Sequence, residues 1–153
     1  MSDADPLVSM LHDWIEIFRG HSMRNFIRFA KDSGLSMSQL GALFHLHHKG
    51  CAGVTDLGDH LGVTNAAVSQ MIERLVQQEL ILRSEDPSDR RAKQIVLTDK
   101  GLQVFQESVC ARLDWLDDLV QTLSAEEKEQ ITEAIEILMD KAKELEPKIE
   151  PKH

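Results

Sequence analysis

The sequence predicts a mainly α-helical fold with one small β-hairpin. Three observations lead there. Apolar residues recur at helical spacing in both end regions, the middle holds two short helices joined by a glycine turn, and two β-prone runs follow with turn residues between them. The 153 residues suffice for one domain, and 42% hydrophobic with 28% charged residues is the balance of a globular protein with a core. No run approaches the roughly 18 apolar residues of a membrane span. The start MSDADPLVSM lacks the basic and apolar regions of a signal peptide, which places the chain in the cytoplasm, away from membranes. Cys51 and Cys110, widely spaced and in no C-x-x-C pair, signal neither a disulfide framework nor a thiolate zinc site.

Each element has its own warrant. Leu7, Met10, Leu11, Trp14, Ile17, Phe18, Phe26, Ile27 and Ala30 form one wide apolar stripe on a first helix, which Gly20 is expected to bend or break. Ser36 caps a second helix over about 37–48, with Leu40, Leu43, Phe44 and His47 at helical spacing. After the loop KGCAG, Thr55 is expected to cap a short third helix. The stretch TDLGDHLGVTNAAVSQMIERL then reads as a helix-turn-helix. Gly58 is small where two helices cross, Gly62 supplies the positive φ of a sharp turn, and Thr64 caps the next helix. Leu57, Leu61, Val63, Val68 and Met71 are expected in the core, with Ile72, Leu75 and Val76 on the same face as Val68 and Met71. QQELILRS and AKQIVLT form the hairpin, and EDPSDRR turns it, with Asp89, Arg90 and Arg91 near the tip. Thr98 caps a long helix reaching about 122, striped by Leu102, Phe105, Val109, Leu113, Leu116 and Val120. Ser124 and Glu127 make a capping box for a last helix, whose Ile131, Ile135, Leu138, Ala142 and Leu145 are expected to be buried. The first and last helices exceed what the central unit needs to cover its own core. A dimerisation layer explains them.

The chemistry lies on the outward face of the helix after Thr64. Asn65, Ala66, Ser69, Gln70, Glu73 and Gln77 collect there, short and hydrogen-bonding rather than the Lys and Glu of a solvated face. Asn and Gln can bond adenine in pairs, Ser and Thr can bond bases or phosphates, and Ala can touch a thymine methyl. An arginine at the hairpin tip suits the narrow minor groove. Net charge of -9 opposes nucleic-acid binding, yet the six basic and six acidic side chains of 64–100 cancel, so the excess lies elsewhere. Enzyme signatures are missing: there is no G-x-S-x-G, no H-E-x-x-H and no phosphate-cradling glycine loop, and no cofactor is signalled.

In element order and in its residues the chain resembles the MarR family of winged-helix transcriptional regulators. The most specific part is DPSDRRAKQIVLTDKG, which looks like that family's wing, with a D-x-R element at Asp89 and Arg91 and an L-T-x-x-G at Leu97, Thr98 and Gly101. LSMSQLGALFHL and VTDLGDHLGVTNAAVSQMIERLVQQELI fall where the family pattern wants them. The resemblance implies a winged helix-turn-helix DNA-binding lobe over 35–100, between dimerisation helices at 1–34 and 101–153. It implies a homodimer on a pseudo-palindromic operator of double-stranded DNA, more often a repressor than an activator, released by a small-molecule effector. By carry-over Thr64, Asn65, Ala66, Ser69 and Gln70 read bases, and Arg91, oriented by Asp89, enters the minor groove. Thr55, Arg74, Arg83, Arg90 and Lys93 are then phosphate contacts. Gln70 stands where many relatives carry a basic residue, which points to a different preferred sequence. Peroxide-sensing relatives carry their cysteine in the first helix, where this chain has none. Zinc-responsive relatives make His45 and His48 candidate ligands, one helical turn apart, and a regulator of that type is the alternative reading. A winged-helix protein-interaction module is a further alternative, and it would want an apolar outward face in place of Asn65, Ser69 and Gln70.

Overall fold

Local capping chemistry sets most helix starts in the structure, a computed structural model that describes residues 5–85 and 93–145. The described residues fall into two units, one through Trp115 and one from Leu116 onward. In the first, α1 (Pro6–Ser33) starts where the Asp5 carboxylate accepts the Leu7 N–H at 2.9 Å, with proline at the first position, and ends at the left-handed Gly34. Gly20 does not break it: one mid-helix glycine costs about 1 kcal/mol, which the rest of a 28-residue helix outweighs. In α2 (Met37–Lys49), the Ser36 hydroxyl accepts the Gln39 N–H while the Gln39 side chain accepts the Ser36 N–H. α3 (Val54–Leu61) is capped by Gly53 rather than Thr55, which lies exposed in the first turn. Gly53 can serve because its extended backbone presents the carbonyl that accepts the Leu57 N–H, without any side-chain bond.

Gly62, at φ +67°, turns the chain into α4 (Asn65–Gln77), capped by the Thr64 hydroxyl on the Ala67 N–H. The two helices meet at Gly58. A Cβ there would lie 3.1 Å from the Val63 carbonyl and the Asn65 side-chain oxygen, so close crossing is the reason for glycine. β1 (Ile81–Glu85) and β2 (Lys93–Leu97) pair antiparallel, with Ile81 opposite Leu97 and Arg83 opposite Ile95. Ala52, in the loop between α2 and α3, exchanges both backbone bonds with Ile95 and ties the hairpin to the helices. Leu40, Leu43 and Leu46 of α2 meet Leu57, Val68, Ile72, Leu75, Ile81 and Ile95 in the core. Burying each such side chain stabilises by about 1.5–3 kcal/mol. Val63 and Val76, expected in that core, are exposed: Val63 sits in the turn and Val76 at the flank of the buried face.

α5 (Asp99–Thr122) opens where the Thr98 hydroxyl accepts the Gly101 N–H at 2.9 Å, and runs on into the second unit. There Ser124 and Glu127 form the expected capping box at the start of α6 (Ala125–Glu144). Its stripe is not buried. Ile131, Ile135, Leu138 and Leu145 are exposed and no residue of α6 is buried, because an amphipathic face is covered only by another apolar face. On α1, Leu7, Met10, Trp14, Ile17 and Ile27 are also exposed. Among the described residues no helix is long and apolar enough to cross a membrane.

Candidate nucleic-acid interface

The helical period that buries Val68, Met71, Ile72 and Leu75 turns the opposite face of α4 outward. Thr64, Asn65, Ala66 and Gln70 are exposed, and Ser69 is half-buried. Local bonds already occupy part of this set. The Thr64 hydroxyl oxygen caps the helix, and the Ser69 hydroxyl donates to the Asn65 carbonyl at 2.9 Å. The Asn65 side-chain oxygen lies against Gly58, so the α3 crossing also fixes the orientation of Asn65. Ala66 and Gln70 stand clear, and Gln70 shares a small polar cleft with Ser38, the α2 start and Arg74. Gln39, buried under that cleft, donates weakly to the Gln78 side chain at 3.4 Å and links the α2 start to the end of α4.

Of the phosphate candidates, Thr55, Arg74 and Arg83 are exposed, and neither arginine has an ion pair among the described residues. Asp89, Arg90 and Arg91 lie outside the described residues, as does the side chain of Lys93. Two lysines that sequence reasoning left aside are engaged: Lys49 bonds Asp56 at 2.6 Å, and Lys100 bonds the Gln78 carbonyl at 2.9 Å.

The structure separates the two histidine candidates. His45 turns to α3, where its Nε2 meets the Asp56 carboxylate at 3.0 Å and its ring lies 4.0 Å from that of His60. His48 lines a cavity on the other side. Among the described residues no three His, Cys, Asp or Glu side chains are placed to hold a metal. Bonds from Lys49 and His45 hold the Asp56 carboxyl below the usual carboxylate range.

That cavity, about 510 Å³, is bounded by α1, α2 and α5, within the first unit. Its walls are mostly apolar, with Arg19, Ser22, His48 and Arg112 as the polar lining, and of these Arg112 lies over two aromatic rings. The guanidinium carbon lies 3.7 Å from the centre of the Phe26 ring and 4.5 Å from that of Phe44. Its Nε is buried without a hydrogen-bond partner, and burial lowers the pKa of the group. Sequence reasoning passed over Arg112. The available signal was its place seven residues after Phe105, a basic side chain on an apolar stripe.

The MarR family model matches residues 35–93, which are α2, α3, α4 and the hairpin just described. It is this central lobe that is similar to the MarR family. Its curated relatives include two HTH-type regulators of Bacillus subtilis. MhqR, an HTH-type transcriptional regulator, is 28% identical over 102 residues, covering 67% of this chain and 70% of the relative. MdtR, an HTH-type transcriptional repressor, is 28% identical over 127 residues, covering 83% and 82%. Both are regulators of transcription, not enzymes. A Staphylococcus aureus MepR mutant solved bound to an oligodeoxyribonucleotide shares the MarR fold, with a TM-score of 0.64 at 24% identity over 88% of this chain and 97% of that one. The strands β1 and β2 are thus placed as the wing of a winged helix, after the helix-turn-helix of α3 and α4.

Proposed function

We propose that the protein is a homodimeric repressor that binds a pseudo-palindromic operator and leaves it when a small-molecule effector binds. The observation that carries this reading is the exposed, short, hydrogen-bonding face of α4 at Asn65, Ala66 and Gln70, on a helix mounted by a glycine crossing and followed by a wing. Thr64 and Ser69 complete the base-reading set, and residues 35–100 form the DNA-reading lobe. Thr55, Arg74, Arg83, Arg90 and Lys93 take phosphates, while Asp89 aims Arg91 into the minor groove. The exposed apolar faces of α1 and α6 are what a second copy would cover, in the region 1–34 and 101–153 assigned to dimerisation. Twofold symmetry then spaces the half-sites about one duplex turn, roughly 34–36 Å, apart.

The effector site in this reading is the cavity at Arg112. A cation between two phenyl rings, with a buried N–H left to donate, fits a planar aromatic anion better than a neutral or cationic ligand. An effector acts only if it binds the released state more tightly than the DNA-bound one.

The test is selection of bound duplexes from random DNA, followed by gel shifts of the wild type and Arg91→Ala at moderate salt. The wild type is expected to select a palindrome, and Arg91→Ala to bind it and most other sequences more weakly. Equal binding by Arg91→Ala would remove the wing from the mechanism, and selection of no common sequence would remove operator recognition altogether.

A further inference from the structure

The C-terminal end of α4 is held as firmly as its start, by residues with no part in the function described so far. The helix ends in a Schellman turn: the Leu80 N–H reaches the Leu75 carbonyl and the Glu79 N–H reaches that of Val76, both at 2.9 Å. The residue that must turn left-handed there is normally glycine. Here it is Glu79, at φ +61°, the only non-glycine residue with positive φ among the described residues. Such a conformation persists in a bulky residue only where the surroundings over-determine it.

Three successive carbonyls show how. That of Gln78 accepts the Lys100 ammonium at 2.9 Å, and that of Glu79 accepts the Thr98 hydroxyl at 2.6 Å. That of Leu80 accepts the Thr98 N–H at 3.1 Å. The Thr98 hydroxyl also accepts the Gly101 N–H at 2.9 Å, so its one hydrogen has a fixed direction. Gly101 closes the contact: a Cβ there would lie 1.9 Å from the Leu80 carbonyl oxygen, which no other residue permits without moving backbone. The end of α4 is thereby bolted to the first turn of α5.

We propose that Thr98, Lys100 and Gly101 are positioning residues for DNA reading, a latch on three backbone carbonyls that fixes the tilt of α4 and so the aim of its base-reading side chains. The proposal rests on the DNA-binding reading above. The α3 crossing at Gly58 and the core packing of Val68, Met71, Ile72 and Leu75 hold the body of α4; the latch fixes its C-terminal end. Hydrogen bonds to base edges need donor and acceptor within about 2.7–3.2 Å, whereas attraction to phosphates decays slowly with distance. Releasing the latch therefore costs specific binding and spares non-specific binding.

Thr98→Val keeps the shape of the side chain and removes both hydroxyl bonds; Thr98→Ser restores them. The probes are the duplex that the wild type selects from random DNA and a scrambled duplex of equal length, with affinities measured over a salt series on protein whose folded fraction is checked by thermal melting. Thr98→Val is expected to bind the selected duplex at least about fivefold more weakly, with scrambled-duplex affinity and salt slope unchanged. Thr98→Ser is expected to return within about twofold of the wild type. Equal losses on both duplexes would make Thr98 merely structural and overturn the latch, as would no loss on either. Should Thr98→Val fail to fold, Lys100→Met, which loses the bond to the Gln78 carbonyl and the exposed ion pair with Glu79, is expected to lower the same ratio, and an unchanged ratio there counts against the proposal. A wild type that does not distinguish the duplexes refutes the DNA-reading function itself, a different failure from that of the latch.

Discussion

Arg112→Met separates what the cavity does from what holds the fold together. Methionine fills most of the volume of the arginine stem and removes the charge and its buried N–H. Leaving that N–H unpaired costs the wild type about 1–3 kcal/mol. Its contacts with the Phe26 and Phe44 rings return about 0.5–2 kcal/mol each. The two effects nearly cancel, so the ligand-free variant is expected to melt within about 4 °C of the wild type, at about 2–4 °C per kcal/mol for a chain of this size. Benzoate, the smallest aromatic carboxylate, tests the site. At a hundred times its dissociation constant it should stabilise the wild type by about 2.7 kcal/mol, a rise of about 5–10 °C. Arg112→Met should show little or none of that rise. The assay is thermal melting at one fixed protein concentration, because the melting point of an oligomer depends on it. A benzoate shift that survives in Arg112→Met, or its absence from the wild type, would refute the anion site. A ligand-free variant melting more than about 8 °C lower would show the guanidinium to be structural.

Gly58→Ala presses a methyl against the Val63 carbonyl and the Asn65 side chain, each 3.1 Å away, and is expected to destabilise by about 1–3 kcal/mol in chemical denaturation; an unchanged midpoint would mean that the α3 crossing has slack. Asp56, held below its usual range by Lys49 and His45, contributes stability that is present above its unfolded value of about 3.9 and lost as pH falls through the lower folded value. Melting curves of Asp56→Asn should therefore lie below those of the wild type at pH 6 and converge on them as pH falls through the lower folded value; parallel curves across that range would rule the linkage out.

Where a feature depends on neighbours in sequence, the letters carried it. The Ser36 cap, the Ser124–Glu127 box, the Gly62 turn, the Gly58 crossing and the alternating runs around 81 and 95 are all short-range chemistry, and the structure has each of them. Errors came where a short-range cue met a longer-range balance. Thr55 has the side chain of a cap, but the helix begins at Val54. Gly20 is a breaker in isolation, yet α1 runs through it. The stripe of α6 was correctly periodic and wrongly taken as buried, since periodicity says that a face is apolar and not what covers it. For the candidate site, the outward face of α4 was legible from its period alone. Arg112 was not, because Phe26 and Phe44 reach it from two other helices, and the left-handed Glu79 was not, because no glycine announces it.

The acidic total and a DNA-reading surface are reconciled by where the cations are spent. Lys49 is tied to Asp56, Lys100 to the end of α4 and to the Glu79 carboxylate, and Arg112 to two phenyl rings. Arg74 and Arg83 are left, among the described residues of the lobe, as arginines without an ion pair, the first on α4 and the second on the wing. Each phosphate neutralised contributes about 0.9 to the salt slope of binding. The excess of negative charge lies outside 64–100 and opposes DNA there. In the proposed reading, discrimination comes from the base contacts of α4. For such a protein, discrimination depends on how accurately α4 is held, and that is why the mounts at both of its ends, Gly58 in front and Thr98 with Gly101 behind, matter more here than they would in a strongly basic relative.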